Sequence, residues 1–396
     1  MTLRGRDIVC LASAAWDAMW VNSQHVMHRL AKHNRVLYVN NLGLRPPTAS
    51  SGDWQKIKKK LGEWTSGARQ VENNLWVVAP VSLPLHRRGT VRAFNAWNLR
   101  RTLRAWTTKF GMQKPILWSF LPLGATLVGD LDESLVVYHC VDDYAANPGV
   151  PATEIREMES RLLAAADLTI VTNPVLYEER KSRAANIEYF GNVADVEHFA
   201  PRPDRRVPEA LRDLPRPIIG YHGNISGYKT DVPLMAALAR AMPHASIVLI
   251  GPVGWGDPHT DVASLRELPN VVLLDRVPYD ALPSYVAAFD VAILPLHDNE
   301  STRRSFPMKF YEYMAAEKPI VARDLPAFDA YRDRPELCRL AKTEKGFITA
   351  VGEALAAPPA LEARRAEAKR NSWDVRMAQI EEAVVTALQA KGKGSE

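Results

Sequence analysis

Short apolar runs alternate with helix-length amphipathic segments along most of the chain. In the first half the runs predict strands at residues 8–12, 35–39, 75–79, 116–119, 135–139, 168–172 and 187–190, with helices such as 23–32 and 153–165 between them. The series then restarts, with strands at 218–221, 246–250, 271–274, 291–295 and 319–322 and helices near 232–241, 282–288 and 308–316. Strands that are apolar on both faces and interleaved with helices belong to parallel sheets covered on both sides. Two such series predict an α/β chain of two doubly wound domains. Five prolines among charges, from Pro201 to Pro217, break any regular element and read as an interdomain linker. The expected division is 1–200, 201–371 and a helical tail 372–396 whose last residues fray.

Composition narrows the class. With 396 residues, 47% hydrophobic and 24% charged, the chain is neither disordered nor a disulfide miniprotein. Cys10, Cys140 and Cys338 are far apart and form no CxxC pair, which argues against a disulfide framework and a structural zinc site and fits a reducing cytoplasm. Arg4 and Arg6 precede the apolar stretch 8–15 in the manner of a signal peptide, but Asp7 and the Trp16-Asp17 ending favour a buried first strand. No uncharged run reaches the roughly 18 residues that span a bilayer. The protein is therefore expected to be soluble, or to sit on a membrane from outside.

The clearest candidate chemistry lies in the second series. Ile218-Ile219-Gly220-Tyr221-His222-Gly223-Asn224-Ile225-Ser226-Gly227-Tyr228-Lys229 reads as a buried strand entering a glycine-rich loop ahead of a helix after Asp231. Such a loop lets backbone amides approach an anion, and Lys229 adds a cation, although a bare turn with a solvated lysine explains the same residues. Further on, Ser305-Phe306-Pro307-Met308-Lys309-Phe310-Tyr311-Glu312 opens a helix at Pro307 that Lys318-Pro319 ends. Met308, Tyr311 and Ala315 share one face, as do Phe310 and Met314, so much of this helix is core. Lys309 and Glu312, three apart, are either functional or an ordinary helix ion pair.

These stretches, with Asn270–Val321 and the Asn192–Phe199 segment NVADVEHF, resemble the donor domain of GT-B glycosyltransferases, in particular the large family 4-like group. The resemblance covers roughly residues 165–325 well and the N-terminal domain thinly. It implies two Rossmann-like domains facing a cleft, a nucleotide-diphospho-sugar such as a UDP- or GDP-sugar as donor, no cofactor or metal, and a C-terminal helix crossing back to the first domain. By that resemblance Gly223, Asn224 and Lys229 face the diphosphate, and the backbone around Arg276 and Val277 meets the base. Ser305, Met308 and Lys309 lie beside the phosphates, and Glu312 accepts from the ribose hydroxyls. The family pattern places a first glutamate where this chain has Arg304, with Glu300 upstream. That departure bears on how the sugar is oriented.

In the first series Val136-Val137-Tyr138-His139-Cys140-Val141-Asp142-Asp143-Tyr144 places two acids at the carboxyl end of a strand, where open α/β sheets bind ligands. Adjacent carboxylates raise one pKa toward general-base work, so Asp142 and Asp143 are the catalytic candidates; the alternative is that one caps the next segment. Asp142 is favoured, because sequences resembling this one carry a comparable Cys-Val-Asp. His139 and Cys140 point to opposite strand faces and share no metal. His25, His28 and His33 have near-helical spacing but no nearby acid or cysteine. Asn22 and Gln24 are possible acceptor-facing groups.

Charge is unevenly spread. Residues 1–115 hold 19 Lys+Arg against 5 Asp+Glu, residues 116–396 hold 31 against 40, and eight of the 10 Trp lie within the first 118 residues. Across residues 87–110, Arg87, Arg88, Arg92, Arg100, Arg101, Arg104 and Lys109 interleave with Phe94, Trp97, Trp106 and Phe110, without an acid. Lys56, Lys58, Lys59 and Lys60 lie between Trp54 and Trp64 in the same style. A helix of this kind suits an anionic membrane surface, or is a solvated helix with one face on the core; no nucleic-acid motif accompanies it. The expectation is a hexosyltransferase, peripheral on the cytoplasmic membrane face, acting on a lipid-linked or polysaccharide acceptor in polysaccharide biosynthesis. The alternatives are a nucleotide-sugar epimerase of the same fold and an inactive module that binds membrane or nucleic acid.

Overall fold

The computed structural model describes residues 2–18, 20–40, 67–80, 89–147, 149–255, 257, 259–357 and 359–393. They fall into two units, Met1–Gly191 with Met377–Glu396, and Asn192–Arg376. The stretch from Lys56 to Lys60, Trp54, Trp64, Arg87 and Arg88 lie outside the described residues.

The first unit is built on β1 (Asp7–Leu11), β2 (Arg35–Val39), β3 (Arg69–Glu72), β4 (Leu75–Val78), β5 (Ile116–Ser119), β6 (Leu135–Cys140), β7 (Leu168–Val171) and β8 (Ile187–Tyr189). The sheet order is β3-β4-β2-β1-β5-β6-β7-β8, parallel throughout except for the β3–β4 pair. The N-terminal apolar run is β1, paired on both sides and buried, as its unbroken Ile8–Leu11 sequence requires. β3 escapes a search for apolar runs because Arg-Gln-Val-Glu is a polar edge strand, joined to β4 through Asn73 and Asn74.

The second unit holds β9 (Ile218–His222), β10 (Ser246–Ile250), β11 (Val271–Leu274), β12 (Val291–Leu294), β13 (Ile320–Arg323) and β14 (Cys338–Ala341), in the order β11-β10-β9-β12-β13-β14 and all parallel. Its sheet is covered on both faces. One layer gathers Phe199, Phe289, Phe310, Tyr313 and Phe328; the other gathers Met235, Leu238, Phe347 and Val351. β14 is four residues long and interrupted by Arg339, which is why a search for apolar runs missed it.

The boundary between units falls at Gly191 and Asn192, ahead of the proline-rich stretch. The chain joins the second unit there because the Asn192 side-chain amide donates to the Phe306 carbonyl at 2.6 Å, Ala194 bridges to Ser372, and Phe199 is fully buried. Residues 201–217 are thus a surface connection within that unit, carrying a short helix at Glu209–Arg212. The helix Trp373–Lys393 starts in the second unit and belongs to the first from Met377 onward. There the Leu3 N–H donates to Glu381 at 2.9 Å and Lys391 pairs with Asp167 at 2.6 Å.

Candidate functional site

In the second unit the chain runs from β9 outward to β10 and β11, then returns to the other side of β9 for β12. That reversal makes the carboxyl ends of β9 and β12 a topological switch point, where open α/β sheets bind ligands. The glycine-rich loop starts there. Gly223 has φ +125°, a conformation that L side chains rarely adopt, and its N–H donates to Ile250 O at 2.8 Å. Gly251, ending β10, has φ +141° and approaches so closely that a Cβ on it would lie 2.2 Å from the Gly223 carbonyl oxygen. Two strand-end loops are thus packed backbone to backbone. Asp231 caps the following helix Val232–Ala241, its carboxylate accepting from Leu234 N at 3.0 Å.

Lys309 and Glu312 sit on the helix Lys309–Ala315 but do not pair with one another. Lys309 Nζ reaches across to Tyr221, 3.4 Å from its hydroxyl and 4.9 Å from its ring centroid, so it stands over the loop after β9. Glu312 is buried, with its Oε2 3.1 Å from His222 Nε2 and outside hydrogen-bond alignment. The helix is fixed by Phe310 and Met314, both fully buried, and ends in a Schellman turn. In that turn Lys318 N donates to Tyr313 O, Glu317 N donates to Met314 O, and Glu317 is at φ +62°. The core reading of this helix therefore holds for Phe310 and Met314, while Lys309 and Glu312 turn toward Tyr221 and His222 at the end of β9.

The remaining donor candidates are distributed as follows. Asn224 turns its amide onto the Trp255 carbonyl at 2.6 Å, so its side chain ties two loops together. Lys229 lies in the same loop with Nζ 5.6 Å from the Tyr228 ring. Arg276 is exposed and Val277 half-buried just beyond β11, on the same edge of the sheet. Ser305 N donates to Thr302 O at 3.4 Å, and Met308 is half-buried at the helix start. Arg304 is paired with Glu300 at 2.7 Å, so a carboxylate does stand beside the position that holds arginine.

In the first unit, the two acids after β6 part company. Asp143 is buried, accepts from Ala145 N at 3.2 Å as the cap of the turn Tyr144–Ala146, and lies 3.9 Å from Arg180. Arg180 is itself buried and bonds Glu159 through Nε at 3.0 Å and Nη2 at 3.2 Å, while Tyr138 donates to Glu159 at 2.9 Å. Burial pulls the Arg180 guanidinium down, but the charge and hydrogen bonds of Glu159 work against it, and the group is held above its ordinary value. Burial pushes the Cys140 thiol up to about 12, so it stays a neutral thiol. The capping alternative thus describes Asp143, whereas Asp142 is half-buried and its Oδ1 accepts from the Asp143 N–H. Sequence reading missed this Tyr138–Glu159–Arg180 network. Its only trace was Glu159 at a position of the helix Ala152–Ala165 that the apolar stripe assigns to the core.

Gln24 is structural, with its Oε1 accepting from Val21 N at 3.1 Å and its Nε2 donating to Ala15 O at 2.9 Å. Asn22 is buried at the start of the same helix, Asn22–Leu30. His28 pairs with Glu72 at 2.7 Å, and among the described residues no group of histidines, cysteines and acids is arranged to hold a metal. The basic helix is Gly89–Lys109, with Leu99, Leu103 and Thr107 on the core. Arg100 and Arg104 are taken up by Asp130 at 2.6 and 2.8 Å, whereas Phe94 and Trp97 stand 41% and 52% exposed, with Arg101 over the Trp97 ring. Among the described residues no helix is long and apolar enough to cross a membrane.

Residues 216–357 match the family described as glycosyl transferases group 1. A Bacillus subtilis (strain 168) protein named as a teichuronic acid biosynthesis glycosyltransferase, TuaH, is 25% identical over 228 residues, which are 53% of this chain and 56% of TuaH. The match thus spans about half the length of that relative. Sucrose-phosphate synthase from Thermosynechococcus elongatus superposes with a TM-score of 0.72 at 16% identity, over 97% of this chain and 100% of that one. Anabaena HepE, solved in complex with UDP-glucose, gives 0.66 at 15% identity over 96% and 99%. The fold is that of the GT-B glycosyltransferases, with two Rossmann-like units of parallel sheet.

Proposed function

We propose that this protein moves a sugar from a nucleotide-diphospho-sugar to an acceptor hydroxyl, a reading supported by the match of residues 216–357 to the group 1 glycosyl transferases and by the GT-B fold. The observation that carries this is the end of β9. There Gly223, which leaves no room for a side chain, and the Lys309 ammonium occupy one space at a topological switch point, as a diphosphate cradle needs. Glu312, buried on the same helix, is the acceptor for ribose hydroxyls, since a carboxylate takes two O–H donors at once. HepE was solved with UDP-glucose, which supports a UDP-sugar as the first donor to try.

In this reading Asp142 takes the proton of the acceptor hydroxyl as its oxygen attacks the anomeric carbon, and Asp143 holds the local turn. The departing diphosphate is neutralised by Lys309 and Lys229 together with loop amides, the kind of preorganised charge that lowers such barriers. The acceptor in this reading is a polysaccharide or a lipid-linked glycan, and the name of the B. subtilis relative, which places that protein in teichuronic acid biosynthesis, supports the first. The exposed Phe94, Trp97 and Arg101 support docking at the inner face of an anionic membrane. Incubation with a panel of activated sugars and membrane extract, followed by product analysis, tests the reading. A glycosylated product with release of the nucleotide supports it; a C-epimerised donor and no new glycoside would make the protein an epimerase instead.

A further inference from the structure

Tyr313 lies within electrostatic reach of Glu312, but the side chain that its carboxylate pairs with among the described residues is His222. Their nitrogen and oxygen are 3.1 Å apart, both residues are less than 10% exposed, and among the described residues no lysine or arginine pairs with the carboxylate. A carboxylate offers about four lone-pair sites, so a single partner leaves most of its hydrogen-bonding capacity unused inside the protein. That capacity is left for a donor that enters the site.

His222 is held as a part placed for a purpose. Its backbone N–H donates to Tyr313 Oη at 2.9 Å, its ring meets Tyr313 edge-on with centroids 5.0 Å apart, and Phe199 lies nearly parallel on it at 6.3 Å. Two successive residues of the Lys309–Ala315 helix therefore meet the end of β9, Tyr313 by a hydrogen bond to the His222 backbone and Glu312 beside the His222 side chain. Nε2 of His222 is shielded from solvent and has no aligned partner, and the Glu312 oxygen 3.1 Å away is the acceptor that it faces. Loosely aligned bonds of this sort in a free enzyme tighten when the ligand is bound.

We infer that His222 is a positioning residue, whose Nε2–H fixes one oxygen of Glu312 so that the other is presented to the paired hydroxyls of a ribose. The inference rests on the donor-site reading above and deepens it. It implies that the histidine at the strand end contributes to selecting ribonucleotide donors without touching them. His222→Leu removes the donor, His222→Asn has an amide that stops short of the carboxylate, and His222→Gln restores a donor at similar reach.

The test is calorimetric titration of each variant with UDP, GDP and the 2′,3′-dideoxy analogues. The wild type is expected to bind the better ribonucleotide about tenfold more tightly than its dideoxy analogue, the worth of one hydrogen bond to a charged group. H222L should lose that ratio while binding the dideoxy compound as the wild type does, and H222Q should recover most of it; if H222L does not fold, H222N gives the same comparison. An unchanged ratio in H222L, or equal weakening of both ligands, overturns the positioning role and leaves the donor site standing. A wild type that binds none of the four overturns the donor site itself, and the inference with it.

Discussion

A Cβ placed on Gly223 would stand 2.7 Å from both Cε and Nζ of Lys309, so the glycine and the lysine share one space at the end of β9. Gly223→Ala must therefore push the ammonium aside as well as adopt φ +125°. The obstacle is the flexible end of a side chain, so the fold survives with a loss of about 1–3 kcal/mol in urea unfolding. Nucleoside diphosphate affinity should fall at least about tenfold, since a charge-assisted bond is lost. In Gly251→Ala the obstacle is the Gly223 carbonyl oxygen at 2.2 Å, which cannot move without the loop, so its stability loss should be the larger.

The two acids after β6 should separate in the same way by mutation. Asp142→Asn is expected to abolish transfer while nucleotide affinity stays within about twofold, because general-base loss acts on the chemical step alone. Asp143→Asn should cost about 1–2 kcal/mol of stability, since it weakens the cap on Ala145 and removes a charge facing buried Arg180. Full turnover in Asp142→Asn would remove that residue from the mechanism.

Lys318 gives a pH signature. Burial, with Arg216 and Arg364 nearby, pulls its ammonium down to about 8 against the opposing pull of Asp290 and Glu317, and its Nζ donates to Ala287 O at 2.6 Å. Between about 8 and the ordinary 10.5 the unfolded chain holds more protons on this group than the folded one, so its contribution to stability rises with pH across that window. In paired urea titrations at pH 7 and pH 10, wild type should gain stability relative to Lys318→Met as the pH rises. The comparison cancels the buried thiols and tyrosines that titrate in both proteins.

For the basic helix, flotation with vesicles separates a membrane face from a solvated one. Wild type should bind vesicles rich in anionic lipid, weakly at high salt, and Trp97→Ala with Arg101→Gln should reduce binding several-fold. Equal binding by the double variant would assign Phe94 and Trp97 to simple exposure.

Most of the architecture was legible because the parallel strands are apolar on both faces, so that β2, β5, β10 and β11 have the bounds that their sequences predict. What stayed hidden has polar or interrupted strands, as in β3 and β14, or depends on contacts distant in sequence. Asn192 shows this: nothing local says that its amide is bound to the carbonyl of Phe306, 114 positions later, yet that bond helps place the unit boundary ahead of the prolines. The site was legible as residue types and not as pairings. Spacing left Lys309 and Glu312 as either an ion pair or functional groups, whereas the fold turns one to Tyr221 and the other to His222.

The central claim is that the second unit grips the diphosphate of an activated sugar through the loop after β9 and Lys309. Calorimetry of the folded protein across the nucleotide-diphospho-sugars and their free nucleoside diphosphates tests it most directly. Saturable binding of at least one such donor, weakened about tenfold or more in Lys309→Ala, is the predicted result. No heat with any of them, or binding indifferent to Lys309, would contradict it.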